Sequence, residues 1–155
     1  MILPIALTIA AAAALLHIWL AARVSQLRRR HHVSIGDGGN VALATRMRAH
    51  ANFAESMPIF LILLALIELA VGSDLWLWAA AILFILGRLL HAFGMDRPAP
   101  NALRMIGMGL TALVILGLAG AAIFLSYTES SNRRAIEAPQ LHSAGALSPA
   151  RTGRS

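Results

Sequence analysis

Four apolar runs, at residues 2–22, 41–71, 75–95 and 102–125, leave this chain few choices of fold. A helix needs about 20 apolar residues to cross the roughly 30 Å hydrocarbon core of a bilayer, and each run reaches that length. Backbone polar groups find no water there, so a spanning run must close its hydrogen bonds on itself as a helix. The first run has no basic start, carries its charge at the far end and is too long for a secretory signal peptide, so it is expected to be a retained span. The expected fold class is an all-α integral membrane protein, a four-transmembrane-helix bundle. It forms one domain over residues 1–127, followed by a polar tail over 128–155 that is expected to be disordered.

Composition agrees with that class. Of the 155 residues, 58% are hydrophobic and only 13% charged, with a mean hydropathy of +0.70. In a soluble protein a net charge of +6 would suggest nucleic acid. Here the basic residues flank the spans, so membrane topology and anionic lipid account for them and no nucleic-acid partner is expected. All 13 cations are arginine, and codon usage in a genome rich in G and C accounts for most of that preference. No cysteine is present, which excludes a disulfide, a thiolate zinc site and a cysteine nucleophile. Any thiol chemistry would use a thiol brought by the substrate.

The connections set the orientation. Arg28-Arg29-Arg30-His31-His32 and Asp96-Arg97-Pro98-Ala99-Pro100-Asn101 are basic, whereas Gly72-Ser73-Asp74 carries no positive charge. The positive-inside rule then places both basic connections in the cytoplasm. Gly36 to Asn40 is a turn built of residues that tolerate positive φ, and Asp74 is placed to cap the third helix. Trp76 and Trp78 form an interfacial belt. Glu68 is expected to be interfacial, and His17 to face the bundle or the interface. Gly107, Gly109, Gly117 and Gly120 are expected to let the fourth helix pack centrally.

The polar residues inside the spans need a reason, because a charge at the centre of a bilayer costs about 3 kcal/mol on insertion scales. Arg48, Asn52 and Glu55 are spaced i, i+4, i+7 and share one helical face. Arg88 and His91 share a face of the third span, and Arg104 lies in the first turn of the fourth. With Arg23, Arg28 and His50 they predict one basic cavity near the cytoplasmic ends, holding a single carboxylate. Glu55 and Asn52 are expected to pair across helices. The surplus of arginine beside hydrocarbon calls for an anion, and a small anionic ligand is the sharper of two readings. The other is a polar cluster that only assembles helices or binds lipid headgroups. No HExxH, GxSxG or nucleotide fingerprint occurs, so metal ligation and serine hydrolysis are not expected.

Arg48-Ala49-His50-Ala51-Asn52-Phe53-Ala54-Glu55, followed by Pro58, resembles the signature of the MAPEG family, the membrane-associated proteins of eicosanoid and glutathione metabolism. Gly87-Arg88-Leu89-Leu90-His91 resembles the family's second motif, and Arg104 falls where a fourth-span arginine is expected. The likeness is to the small bacterial branch. It implies a homotrimer in the bacterial inner membrane with glutathione, as thiol cosubstrate, bound between neighbouring subunits. It also implies transferase or peroxidase chemistry on a lipophilic small-molecule substrate. By the same resemblance Arg48 takes a glutathione carboxylate, Asn52 its amides, and Glu55 its ammonium group or a neighbouring arginine. Arg88 and His91 line the pocket, Arg28 is a further cation, and Arg104 is the catalytic residue that stabilises the thiolate. Two positions depart from the pattern. His91, Ala92, Phe93 and Met95 stand where third-span tyrosines recur, and Ser56 stands where tyrosine often follows the signature glutamate.

Overall fold

The computed structural model describes residues 2–146, with side chains described to Ser131. It consists of four helices, α1 (Pro4–His31), α2 (Val41–Val71), α3 (Leu75–Met95) and α4 (Ala102–Ala146). All four are long and apolar enough to cross a membrane, α4 through its segment Ala102–Ser131. Two ends differ from the sequence expectation. Helix α1 continues nine residues past residue 22 and carries the arginine cluster on its last turn. Helix α4 likewise runs on past Leu125 into the polar stretch. Residues 147–155 lie outside the described residues.

Each boundary has a local cause. Proline at the start of α1 supplies the fixed φ that a first turn needs. The chain leaves α1 through His32 in a left-handed conformation, then turns on Gly36, Gly38 and Gly39, all at positive φ. Asn40 caps α2 by accepting a hydrogen bond from the Leu43 amide at 3.0 Å. Asp74 caps α3 through the Leu75 amide, as its position predicts.

The bundle interior is a seam of residues alternating at three and four positions. Ile5, Ile9, Leu16 and Leu20 of α1 meet Phe53, Met57, Phe60, Leu64 and Ile67 of α2. Leu77, Ala81 and Phe84 of α3, with Val114 and Leu118 of α4, complete it. The rings of Phe60 and Phe84 stack at 3.7 Å between centroids. The opposite faces are equally apolar: Leu15, Leu66, Leu113 and Leu116 are largely exposed, as lipid-facing residues should be.

Helices α3 and α4 touch backbone to backbone. A Cβ on Gly107 would stand 2.5 Å from the His91 amide nitrogen and 2.6 Å from the Gly87 carbonyl, and one on Gly94 would meet the backbone of Arg104. Gly107 thus packs as expected, but Gly109, Gly117 and Gly120 face open space. The fourth helix is the least covered of the four rather than central, so those three glycines pack nothing within the chain. Gly107→Val is expected to destabilise the bundle by about 3 kcal/mol, the upper range of overpacking, because the obstacle is backbone that cannot give way. Gly117→Ala should be neutral. Thermal unfolding of the two variants in detergent checks the contrast.

Candidate functional site

Two polar layers bracket the span. At one end Glu68, fully buried, accepts hydrogen bonds from the amides of Ile5 (2.9 Å) and Ala6 (2.8 Å) and from the Ser73 hydroxyl (2.7 Å). It caps the first turn of α1, whose own N-cap residue, Leu3, has no polar side chain. Glu68 is therefore a buried structural group at the end of the span. At the other end Asp96 pairs with both Arg23 and Arg46, the latter at 3.2 Å. Arg46 also donates to the Arg23 carbonyl at 3.3 Å, and the Arg23 guanidinium lies over the Trp19 ring. Ile5 and Arg23 are about 27 Å apart along α1, close to the thickness of a hydrocarbon core.

The Asp96 clamp removes Arg23 from the expected basic cavity and ties up Arg46, which was not counted in it. Arg23 and Arg46 already have an acid. Asp96→Asn leaves the buried Arg23 charge without a carboxylate, and a loss of about 2 kcal/mol is expected, below the ~3–5 kcal/mol of a fully enclosed pair because Asp96 is partly exposed. Denaturation of this variant beside Asp37→Asn, a loop acid with no arginine partner, measures the difference.

Arg28 and His50 also leave the cluster. Arg28 donates to the Ser34 carbonyl at 2.9 Å and reaches the Met47 sulfur at 3.5 Å, so it folds the α1–α2 connection back onto α1. His50 turns toward α1, with its Nε2 3.3 Å from Nδ1 of His17 and ring centroids 4.5 Å apart. Within the signature, then, His50 lies about half a turn around α2 from Arg48, Asn52 and Glu55.

What remains is a tighter constellation. Arg88 and His91 are buried, at 5% and 1% exposure, and Nε and one terminal nitrogen of Arg88 and both ring nitrogens of His91 lack a hydrogen-bond partner. Buried polar atoms left without partners are rare and each calls for an explanation. Glu55 lies within electrostatic reach of Arg88, and both Arg88 and Arg104 lie within reach of His91. Arg104 is held there by its helix start: Asn101 accepts from the Arg104 amide at 3.0 Å and donates to the Gly94 carbonyl at 2.8 Å. The glycine contact at Gly94 brings the α4 backbone against the same turn of α3.

Arg48 and Glu55 are exposed on the outer face of α2, and Asn52 is half-buried beside them. Among the described residues the Asn52 side chain has no hydrogen-bond partner and Glu55 no ion pair. Among the described residues the only cross-helix link of this face is the electrostatic one from Glu55 to Arg88. The site thus has a closed half, Arg88 and His91 with Arg104 beside them, and an open half on the exterior of α2.

A family model described as the MAPEG family matches residues 6–124. The chain belongs to the MAPEG family. Among curated proteins it is similar to the inner membrane protein YecN of Escherichia coli strain K12, 35% identical over 72 residues. The protein of that name from Escherichia coli O6:H1 strain CFT073 matches with the same figures. Each match covers 46% of this chain and 54% of the relative, so the chain spans about half the length of the curated relatives it matches. Family membership accounts for a four-helix membrane bundle.

Three features escaped the sequence reading: the Glu68 cap, the Asp96 clamp and the His17–His50 contact. The first had a signal. Pro4 opens α1 with no capping side chain before it, which leaves amide donors wanting an acceptor from elsewhere.

Proposed function

We propose that this MAPEG protein binds glutathione at the Arg48, Asn52, Glu55, Arg88, His91 and Arg104 constellation. We further propose that it is a glutathione transferase or peroxidase acting on lipophilic electrophiles. The observation that carries the reading is the pair of buried, unpartnered side chains Arg88 and His91 beside Glu55 and Arg104. Glutathione offers two carboxylates and one ammonium group, which suit several arginines and one glutamate. The outward face of Arg48, Asn52 and Glu55 supports a site completed by a second subunit, in the homotrimer that the family resemblance implies. The basic connections lie on the cytoplasmic side of the inner membrane in this reading, where glutathione is met in solution and the electrophile comes from the lipid.

Arg104 is assigned to the thiolate. A cation beside a thiol raises the thiolate fraction at neutral pH. The thiolate sulfur then bonds to the electrophilic carbon, the leaving group departs with the electron pair, and the thiol proton passes to water. The absence of tyrosine at His91 and Ser56 favours one competing reading, a binder without turnover. Conjugation of a chromogenic aryl halide by the purified protein decides between them. Saturable, glutathione-dependent product formation above the solution rate is expected. Binding of glutathione without product would leave the binder.

A further inference from the structure

A groove between α1 and α2 of about 350 Å³ lies on the side of α2 away from the signature face. It is lined by Ala10, Ala13 and Ala14 on one wall and Phe53, Met57 and Leu61 on the other. His17, Ala54 and Pro58 complete the lining, and His17 meets His50 at one end. Its volume lies within the roughly 300–1,000 Å³ of small-molecule sites. His17 is exposed and the groove opens outward from the bundle, where the lipid lies.

The polar groups at its edge are few and specific. A hydrogen bond between two neutral imidazoles uses one N–H and one lone pair, so the His17–His50 pair keeps one donor and one acceptor free. Pro58 has no N–H, which deprives the Ala54 carbonyl, four residues earlier, of its helical donor. An acceptor left open in hydrocarbon is costly. His17 lies about 9 Å inward of Arg23 along α1, at a depth that excludes an ionised headgroup.

We infer that this groove binds an uncharged, hydroxyl-bearing lipophile, with the hydroxyl at the histidine pair and the chain along the alanine wall. A hydroxyl donates once and accepts, matching the free groups at the His17 end. A carboxylate at that depth would need a cation, and an alkane would leave the free donor and acceptor of the histidine pair unanswered. This site neither contains the glutathione constellation nor depends on it.

The test is titration of the full chain in zwitterionic nanodiscs with a long-chain primary alcohol, beside the alkane of equal length. Binding is read from the histidine side-chain NMR signals and from thermal stability. The alcohol is expected to shift both, and the alkane neither. His17→Ala should weaken alcohol binding about tenfold, the effect of a lost hydrogen bond. Ala14→Leu, at an exposed wall position, should abolish binding while the His17–His50 contact persists. Arg48→Ala should leave alcohol binding unchanged, so failure of the glutathione reading would be seen separately. Equal response to alcohol and alkane, or undiminished binding in Ala14→Leu, would overturn the assignment. So would a change of oligomeric state in Ala14→Leu, which would mean that another copy fills the groove.

Discussion

Glu68→Ala is expected to destabilise the protein by about 3–5 kcal/mol, the largest stability effect of any single polar side chain in the bundle. The substitution leaves the Ile5 and Ala6 amides and the Ser73 hydroxyl without their acceptor. Each buried donor left unsatisfied costs about 1–3 kcal/mol, and no water is at hand beside hydrocarbon to replace the carboxylate. The carboxylate also sits at the positive end of the α1 dipole, which adds a favourable term that an amide lacks. Glu68→Gln should therefore fall between alanine and wild type, because it keeps one acceptor oxygen and loses the charge. Unfolding in mixed detergent, followed by helicity, reads the order. An alanine variant within about 0.5 kcal/mol of wild type would show that α1 does not need this cap.

Arg104→Ala and Arg48→Ala are expected to separate turnover from binding. If Arg104 stabilises the thiolate, its removal should lower turnover about 100-fold while glutathione affinity changes little, the pattern of an interaction made mainly with the reacting atom. Arg48 holds a carboxylate away from the sulfur in this account. Its removal should raise the glutathione KM about tenfold or more and spare turnover at saturation. Stopped-flow absorbance at the thiolate band adds a readout that a folding defect would not mimic. Equal, small effects of both substitutions on both parameters would mean that neither arginine touches the ligand.

How far the sequence could be read depended on what each residue answers to. The spans were legible because length and hydropathy answer only to the bilayer, and the four expected runs fall within the four helices but for the first two residues of the first run. The inward faces were not legible. Leu16 of α1 is buried and Leu15 exposed, yet lipid and protein interior are equally apolar, so no polarity difference separates them. For the same reason the glycines of α4 could not be sorted. Gly107 packs against α3 and Gly117 does not, and both are flanked by large apolar residues.

Within the candidate site, periodicity found the shared face of Arg48, Asn52 and Glu55 and the shared face of Arg88 and His91. It did not foresee the contacts of Arg23 with Asp96, Arg28 with Ser34 and His50 with His17. A list of cations at similar depth does not say which acid each will meet, and Asp96 lies across a connection from both of its arginines. Charge arithmetic came closest to a warning. Seven acids face 13 arginines, so an acid near the basic ends, such as Asp96, had cations on offer from more than one helix.

Glutathione binding by the purified protein tests the central claim most directly. Thermal unfolding in detergent is followed over a glutathione titration for wild type and Arg48→Ala. Wild type should gain stability steadily with ligand, as any ligand of the folded state requires, and the variant should need at least about tenfold more glutathione for the same shift. A wild-type curve that stays flat through millimolar glutathione would contradict the assignment of these residues to a glutathione site.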